Sequence, residues 1–114
     1  MASPIGAFIS GCHGPALSEA EKSFFARTNP FGLILFRRNC ETPDQLKRLT
    51  DDFRAAVGRK NAPIFVDQEG GRVQRIRPPI APNYPAGAAI GALYKIDHEA
   101  GVRAAWLMAR LHAF

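Results

Sequence analysis

Apolar positions gather in three short runs, separated by segments whose apolar residues recur every three or four positions. The first run, Ile5-Gly6-Ala7-Phe8-Ile9, is bounded by Ser10-Gly11 and predicts a buried strand. The second, Gly32-Leu33-Ile34-Leu35-Phe36, is apolar throughout, as a strand covered on both faces must be, and Arg37-Arg38-Asn39 mark its polar end. The third strand, residues 62 to 67, begins Ala62-Pro63-Ile64-Phe65-Val66 and places Asp67 at its last position. Between the first two runs, Ser18-Glu19-Ala20-Glu21 has the spacing of a capping box. It predicts a helix from Ser18 to about Thr28 that buries Phe24 and Phe25 and stops at Asn29-Pro30. Thr42-Pro43-Asp44-Gln45 opens a second helix, with Thr42 as cap, Pro43 at the first helical position and Gln45 at the third. Leu46, Leu49, Phe53 and Val57 share one face of that helix, and Gly58 ends it.

After the third strand, the Pro-rich stretch from Arg77-Pro78-Pro79 to Pro85-Ala86-Gly87 excludes regular helix or central strand. A loop this long inside a compact domain is usually functional. A last helix opens near Asp97, with Val102, Ala105, Trp106 and Ala109 on one side. The order β-α-β-α-β-loop-α predicts a parallel α/β sheet with right-handed crossovers. Three such strands leave two apolar edges unpaired, and the final helix carries no C-cap signal, so residues 1–114 read as an incomplete, truncated domain. Three βα units fill the 114 residues. Eight at that pitch would take about 300, the size of a (β/α)8 barrel. The expected architecture is therefore the first three βα units of such a barrel.

Composition narrows the class. The chain is 46% apolar and 22% charged, a globular mixture. No apolar run approaches the roughly 20 residues that span a bilayer, and no basic segment precedes an apolar stretch at the start, which makes the cytoplasm the default location. Cys12 and Cys40 follow the first and second apolar runs and could be neighbours in a parallel sheet. Without a secretion signal they read as two reduced thiols. Cys12-His13 lacks the further ligands a metal site needs, and His13, His98 and His112 read as surface histidines. A net charge of +5 favours anionic partners, or equally marks an acid-poor piece of a more neutral protein.

The segment that carries chemistry is Val66-Asp67-Gln68-Glu69-Gly70-Gly71-Arg72-Val73-Gln74-Arg75. It runs from a strand end, where ligands of α/β folds sit, into two carboxylates, two glycines and two arginines. Asp67, fixed by the sheet, can accept two hydrogen bonds from a vicinal diol. Arg75 can return a fork of N–H donors to hydroxyls or a carboxylate. Gly70 and Gly71 let the backbone turn sharply or approach a ligand closely. Glu69 and Arg72 read as loop-structuring residues, with Glu69 pairing Arg72 or Arg75. Asp67 and Glu69 are two residues apart on one segment and point the same way, so they do not form a glycosidase acid and nucleophile flanking a bond. The phosphate-binding glycine signatures are absent.

Gly32-Leu33-Ile34-Leu35-Phe36 with Arg38-Asn39, the ten-residue segment, and Pro85-Ala86-Gly87-Ala88-Ala89-Ile90-Gly91 together resemble the N-terminal part of family 3 glycoside hydrolases. The likeness is specifically to the bacterial β-N-acetylhexosaminidases that recycle peptidoglycan, and it covers essentially the whole chain. It implies a (β/α)8 barrel that removes terminal non-reducing β-linked N-acetylglucosamine from muropeptides, with retention and without a metal or cofactor. It also implies that Asp67 and Arg75 bind hydroxyls of that sugar. The family's His–Asp acid/base loop and nucleophilic aspartate lie in motifs this sequence does not contain, so none of its residues is assigned as catalytic. The chain alone is expected to be inactive and prone to aggregate. Cys12-His13-Gly14 and Arg37 depart from the family's usual residues. Two other readings stand beside this one: a non-catalytic saccharide-binding module using Asp67 and Arg75, and a nucleic-acid binder built on Arg37-Arg38 and Arg72-Arg75-Arg77. The last lacks interleaved aromatics and any recognised motif. The expected partner is a small saccharide rather than nucleic acid or membrane.

Overall fold

The computed structural model describes residues 3–113, which form two compact units dividing between Asp67 and Gln68. The first unit contains β1 (Gly6–Ser10), α1 (Glu19–Thr28), β2 (Pro30–Leu35), a single 3-10 turn (Arg37–Asn39), α2 (Pro43–Val57) and β3 (Ile64–Val66). Its sheet is parallel with β2 central, as the alternation of strand and helix requires. Ser10 lies opposite Leu33 and Leu35 opposite Val66, so the carboxyl ends of all three strands face the same way.

Both caps read from the sequence are formed. The Glu21 N–H donates to Ser18 Oγ at 3.2 Å while Glu21 Oε2 accepts from the Ser18 N–H at 2.8 Å. Thr42 and Gln45 make the equivalent box, with Pro43 in the first turn. Helix α1 ends on Asn29 in the left-handed conformation, and α2 ends on Gly58 at φ 67°. The core joins Phe25, Leu49, Phe53 and Val57 to Leu33, Leu35 and Ala62, all buried. The rings of Phe25 and Phe53 meet edge to face with centroids 5.2 Å apart. Burying each such side chain contributes about 1.5–3 kcal/mol.

The expectation that Phe24 is buried fails: it is 39% exposed, because its neighbour Phe25 takes the inward position on a helix that turns 100° per residue. Full cover of the strands fails as well. Leu33 and Leu35 are buried, but Ile34 on the opposite face is only half-buried, and Ile5, Phe8, Ile9 and Phe31 are exposed. Strand β3 is shorter than expected, with its ladder ending at Val66 and Asp67 lying one residue past it.

The second unit contains a small antiparallel hairpin, β4 (Gln68–Gly70) and β5 (Val73–Gln74), then α3 (Gly87–Ile96) and α4 (His98–His112). As expected, the Pro-rich stretch between β5 and α3 is irregular, and α4 opens on Asp97, whose Oδ1 accepts from the Ala100 N–H at 2.9 Å. Neither the hairpin nor α3 is predicted by the sequence pattern. Helices α3 and α4 approach closely at Gly101, where a Cβ would stand 2.5 Å from the Cα of Tyr94. Close approach demands the small residue, so the other side of α4, with Val102 and Trp106, is the exposed one.

Candidate functional site

At the carboxyl end of the first unit's sheet, Asp67 is exposed and immediately follows β3. The Leu35–Val66 pairing places the turn after β2 alongside it. Asn39 anchors that turn. It is fully buried, and its Oδ1 accepts from the Phe36 N–H at 2.8 Å. Its Nδ2 donates to the carbonyls of Gly14 at 2.8 Å and Cys12 at 3.3 Å, tying the end of β2 to the loop after β1. Arg38 reinforces the tie, its Nε donating to the Cys12 carbonyl at 3.1 Å while its guanidinium lies 4.7 Å from the centre of the Phe36 ring. Arg37 Nη1 donates to the Cys40 carbonyl at 2.7 Å. Glu21 holds the far side of the same loop by accepting from the His13 N–H at 2.7 Å. Burial alone would raise the Glu21 carboxyl, yet the hydrogen bonds from Ser18 and His13 outweigh it and hold the group below its ordinary pKa.

Both cysteines are free and buried in this layer. Burial, then the nearby Glu21 carboxylate, pushes the Cys12 thiol up to about 11 against a partial offset from Arg38. Burial likewise raises Cys40. Neither thiol is a nucleophile at neutral pH. Among the described residues no three His, Cys, Asp or Glu side chains are grouped to hold a metal ion, and no helix is long and apolar enough to cross a membrane.

The rest of the motif lies in the second unit. Gly70 and Gly71 have φ of 85° and 59°, and a Cβ on Gly70 would stand 2.2 Å from the Pro85 carbonyl oxygen. The hairpin thus turns where only glycine fits against the loop. Two glutamines hold the segment. Gln68 Oε1 accepts from the Arg75 and Ile76 N–H groups at 3.1 and 3.0 Å, and its Nε2 donates to the Ile76 carbonyl at 2.8 Å. Gln74, 2% exposed, accepts from the Tyr84 N–H at 2.9 Å and donates to the carbonyls of Pro82 at 2.7 Å and Ile76 at 2.9 Å. Arg75 is half-buried, held at its backbone by Gln68.

Glu69 and Arg72 are both exposed. Lys22 pairs with Glu19, Lys47 with Asp51 and Arg103 with Glu99, each along a helix. Two amides, Gln68 and Gln74, hold the backbone of the segment. Gln68, Gln74 and Asn39 lie inside the motifs quoted above, but their charge-free side chains carry no signal of a role there. An amide, however, can satisfy a buried N–H and a buried C=O at once, which no ion can do. His13, His98 and His112 are exposed, as expected; the last two stack on Tyr94 and Tyr84 with ring centroids 3.9 and 4.4 Å apart.

No family model matches the chain. Among curated relatives, the Beta-hexosaminidase of Alkalilimnicola ehrlichii is 40% identical over 113 residues, covering 92% of this chain and 31% of its own length. That of Methylococcus capsulatus is 41% identical over 96 residues, covering 84% of this chain and 28% of its own length. Among solved structures, NagZ from Neisseria gonorrhoeae in complex with N-trifluoroacetyl-D-glucosamine matches with a TM-score of 0.73 at 36% identity. The match covers 82% of this chain and 28% of that one. The chain therefore spans under a third of the length of the relatives it matches. In sequence and in its parallel βα units the chain is similar to a part of the β-hexosaminidases.

Proposed function

We propose that this chain carries part of the substrate site of a barrel that removes terminal non-reducing β-linked N-acetylglucosamine from peptidoglycan-derived muropeptides, with retention, in the cytoplasm. Residues 1–114 form a portion of that single catalytic domain. Asp67 accepts hydrogen bonds from the sugar's hydroxyls and Arg75 donates to them, while Gly70 and Gly71 set the turn between the two. The observation that carries the reading is Asp67 itself, an exposed carboxylate immediately past the carboxyl end of a parallel strand, in a chain 40% identical to a β-hexosaminidase. The solved relative bound to N-trifluoroacetyl-D-glucosamine supports the class of sugar.

The catalytic acid/base and nucleophile are groups this sequence does not supply, so the chain alone binds without hydrolysing. Titration of the purified chain with N-acetylglucosamine should shift signals at Asp67 and Arg75, with Asp67→Asn weakening binding about tenfold or more. Release of p-nitrophenol from its β-N-acetylglucosaminide should stay at the buffer rate. Turnover by the chain would overturn the assignment of catalysis elsewhere, and unchanged binding in Asp67→Asn would overturn the grip.

A further inference from the structure

At the amino end of the first unit's sheet, opposite the end that bears Asp67, three cations line one cleft. Arg54, Arg59 and Lys60 stand around the last turn of α2 and the bend at Gly58, bordering a space of about 530 Å3. That is within the range of clefts that take small ligands. Arg59 is fixed there by uncharged acceptors: its Nε donates to Asn29 Oδ1 at 3.0 Å, its Nη1 to the Phe31 carbonyl at 3.4 Å and its Nη2 to the Pro30 carbonyl, at the first residue of β2. These contacts hold the guanidinium without neutralising it. Arg54 Nε donates to the Ala62 carbonyl at 3.2 Å, which leaves its two terminal NH2 groups for other acceptors. Asp51, the acid in the lining, is already engaged by Lys47. Cations near a helix C-terminus can serve its unpaired carbonyls, but here the Gly58 N–H donates to the carbonyls of Ala55 and Arg54, and the Arg59 N–H donates to that of Arg54. The helix end is capped by backbone, so the side-chain cations are available to a ligand.

A second cleft, of about 400 Å3, shares Ala55, Gly58 and Arg59 with the first and continues past the apolar side chains of Ile5, Ala26 and Val57. Arg59 therefore stands between a cationic space and one with an apolar wall. We infer that these two clefts together bind a phosphate monoester with an apolar body, its dianionic phosphate against Arg54, Arg59 and Lys60 and its body along Ile5, Ala26 and Val57. A phosphate group carries three terminal oxygens and can be approached from several sides at once, which suits three separate cations. A planar carboxylate is better matched by the fork of a single arginine. Arg59, already immobilised, loses little freedom when the ligand arrives. The site lies wholly within the first unit and is independent of the sugar-binding role of Asp67.

The test titrates phenyl phosphate, inorganic phosphate and phenol into the 114-residue chain at low ionic strength and follows the backbone amide shifts. Phenyl phosphate should move the Gly58, Arg59 and Lys60 amides and bind at least about threefold tighter than inorganic phosphate, through its buried ring. Phenol, which lacks the charge, should leave those amides unmoved. Arg54→Gln/Lys60→Gln should weaken phenyl phosphate about tenfold, added salt should weaken it in the unmodified chain, and Asp67→Asn should leave it unchanged. If the double variant loses its native circular dichroism spectrum, Lys60→Gln alone, at an exposed side chain, should weaken binding at least about threefold. Equal affinity for inorganic phosphate and phenyl phosphate would mark a bare anion site and overturn the ester. Unmoved Gly58 and Lys60 amides, or an affinity unchanged by the substitutions at Arg54 and Lys60, would overturn the site.

Discussion

Replacing Gln74 with leucine separates the two accounts of what holds the glycine-rich segment. Leucine is of similar size, so the buried volume is nearly kept and the polar contacts alone are lost. Gln74 Oε1 accepts from the Tyr84 N–H at 2.9 Å, and its Nε2 donates to the Pro82 carbonyl at 2.7 Å and the Ile76 carbonyl at 2.9 Å. Ile76 keeps a donor from Gln68 at 2.8 Å, so two backbone groups, the Tyr84 N–H and the Pro82 C=O, lose their partner. Each such group left without one costs about 1–3 kcal/mol, and the pair therefore about 2–6 kcal/mol. The lower bound corresponds to roughly a thirtyfold faster local opening, at about 1.4 kcal/mol per tenfold. The Tyr84 amide in Gln74→Leu should thus exchange with deuterium at least thirtyfold faster than in the unmodified chain, measured under conditions where opening is at equilibrium. Glu69→Ala and Arg72→Ala remove exposed side chains and should shift it by no more than about 0.5 kcal/mol. A Gln74→Leu effect no larger than that of Glu69→Ala would refute the assignment of the brace to the amides.

Two further outcomes follow from the same geometry. Gly58→Ala and Gly70→Ala both force an L residue to positive φ, but a Cβ at Gly58 meets open space while one at Gly70 meets the Pro85 carbonyl oxygen at 2.2 Å. Gly58→Ala should cost about 1–2 kcal/mol and Gly70→Ala clearly more, read by urea denaturation; equal costs would sink the close-approach argument. Glu21 has its folded pKa held below the ordinary 4.5, so its stabilising effect is present above that value and lost as pH falls through the folded one. Acid titration should therefore speed exchange of the His13 amide, and Glu21→Gln should flatten that dependence; an unchanged acid limb in Glu21→Gln would count against it.

Much of the fold was legible because its signals are local. The boxes at Ser18 and Thr42 are three-residue hydrogen-bond patterns, Asn29 and Gly58 stop helices by their backbone conformation, and the apolar run at 32–36 has no other economical use than a strand. Helix α3 escaped for the opposite reason. It starts at Gly87 on Ala86, which makes no side-chain cap, and carries another glycine at position 91, so neither a start signal nor an apolar stripe announces it. Its stability comes from α4, through the gap that Gly101 leaves for Tyr94, a contact set by packing and invisible to periodicity. The covered strand faces were overestimated because apolarity reports what a strand is suited to meet, and the partner here is present on one face only. Leu33 is buried where Ile9 is 45% exposed.

The site shows the same division between what a residue is and what surrounds it. Charge and strand-end position single out Asp67 from the sequence, and the structure puts it one residue past β3, exposed. The scaffold around it could not be read from charge, because a buried brace must present a donor and an acceptor together at about 3 Å from backbone groups. Asn39 does so between Phe36 and Gly14, and Gln74 between Tyr84 and Pro82. A carboxylate or guanidinium in either place would satisfy one half and leave the other unpaired, with the added cost of burying its charge. Amides therefore carry the architecture, and the Asp67 carboxylate is left exposed at the surface where a ligand can meet it. That arrangement is why the charged residues mark the candidate contacts and the uncharged ones decide whether those contacts are held in place.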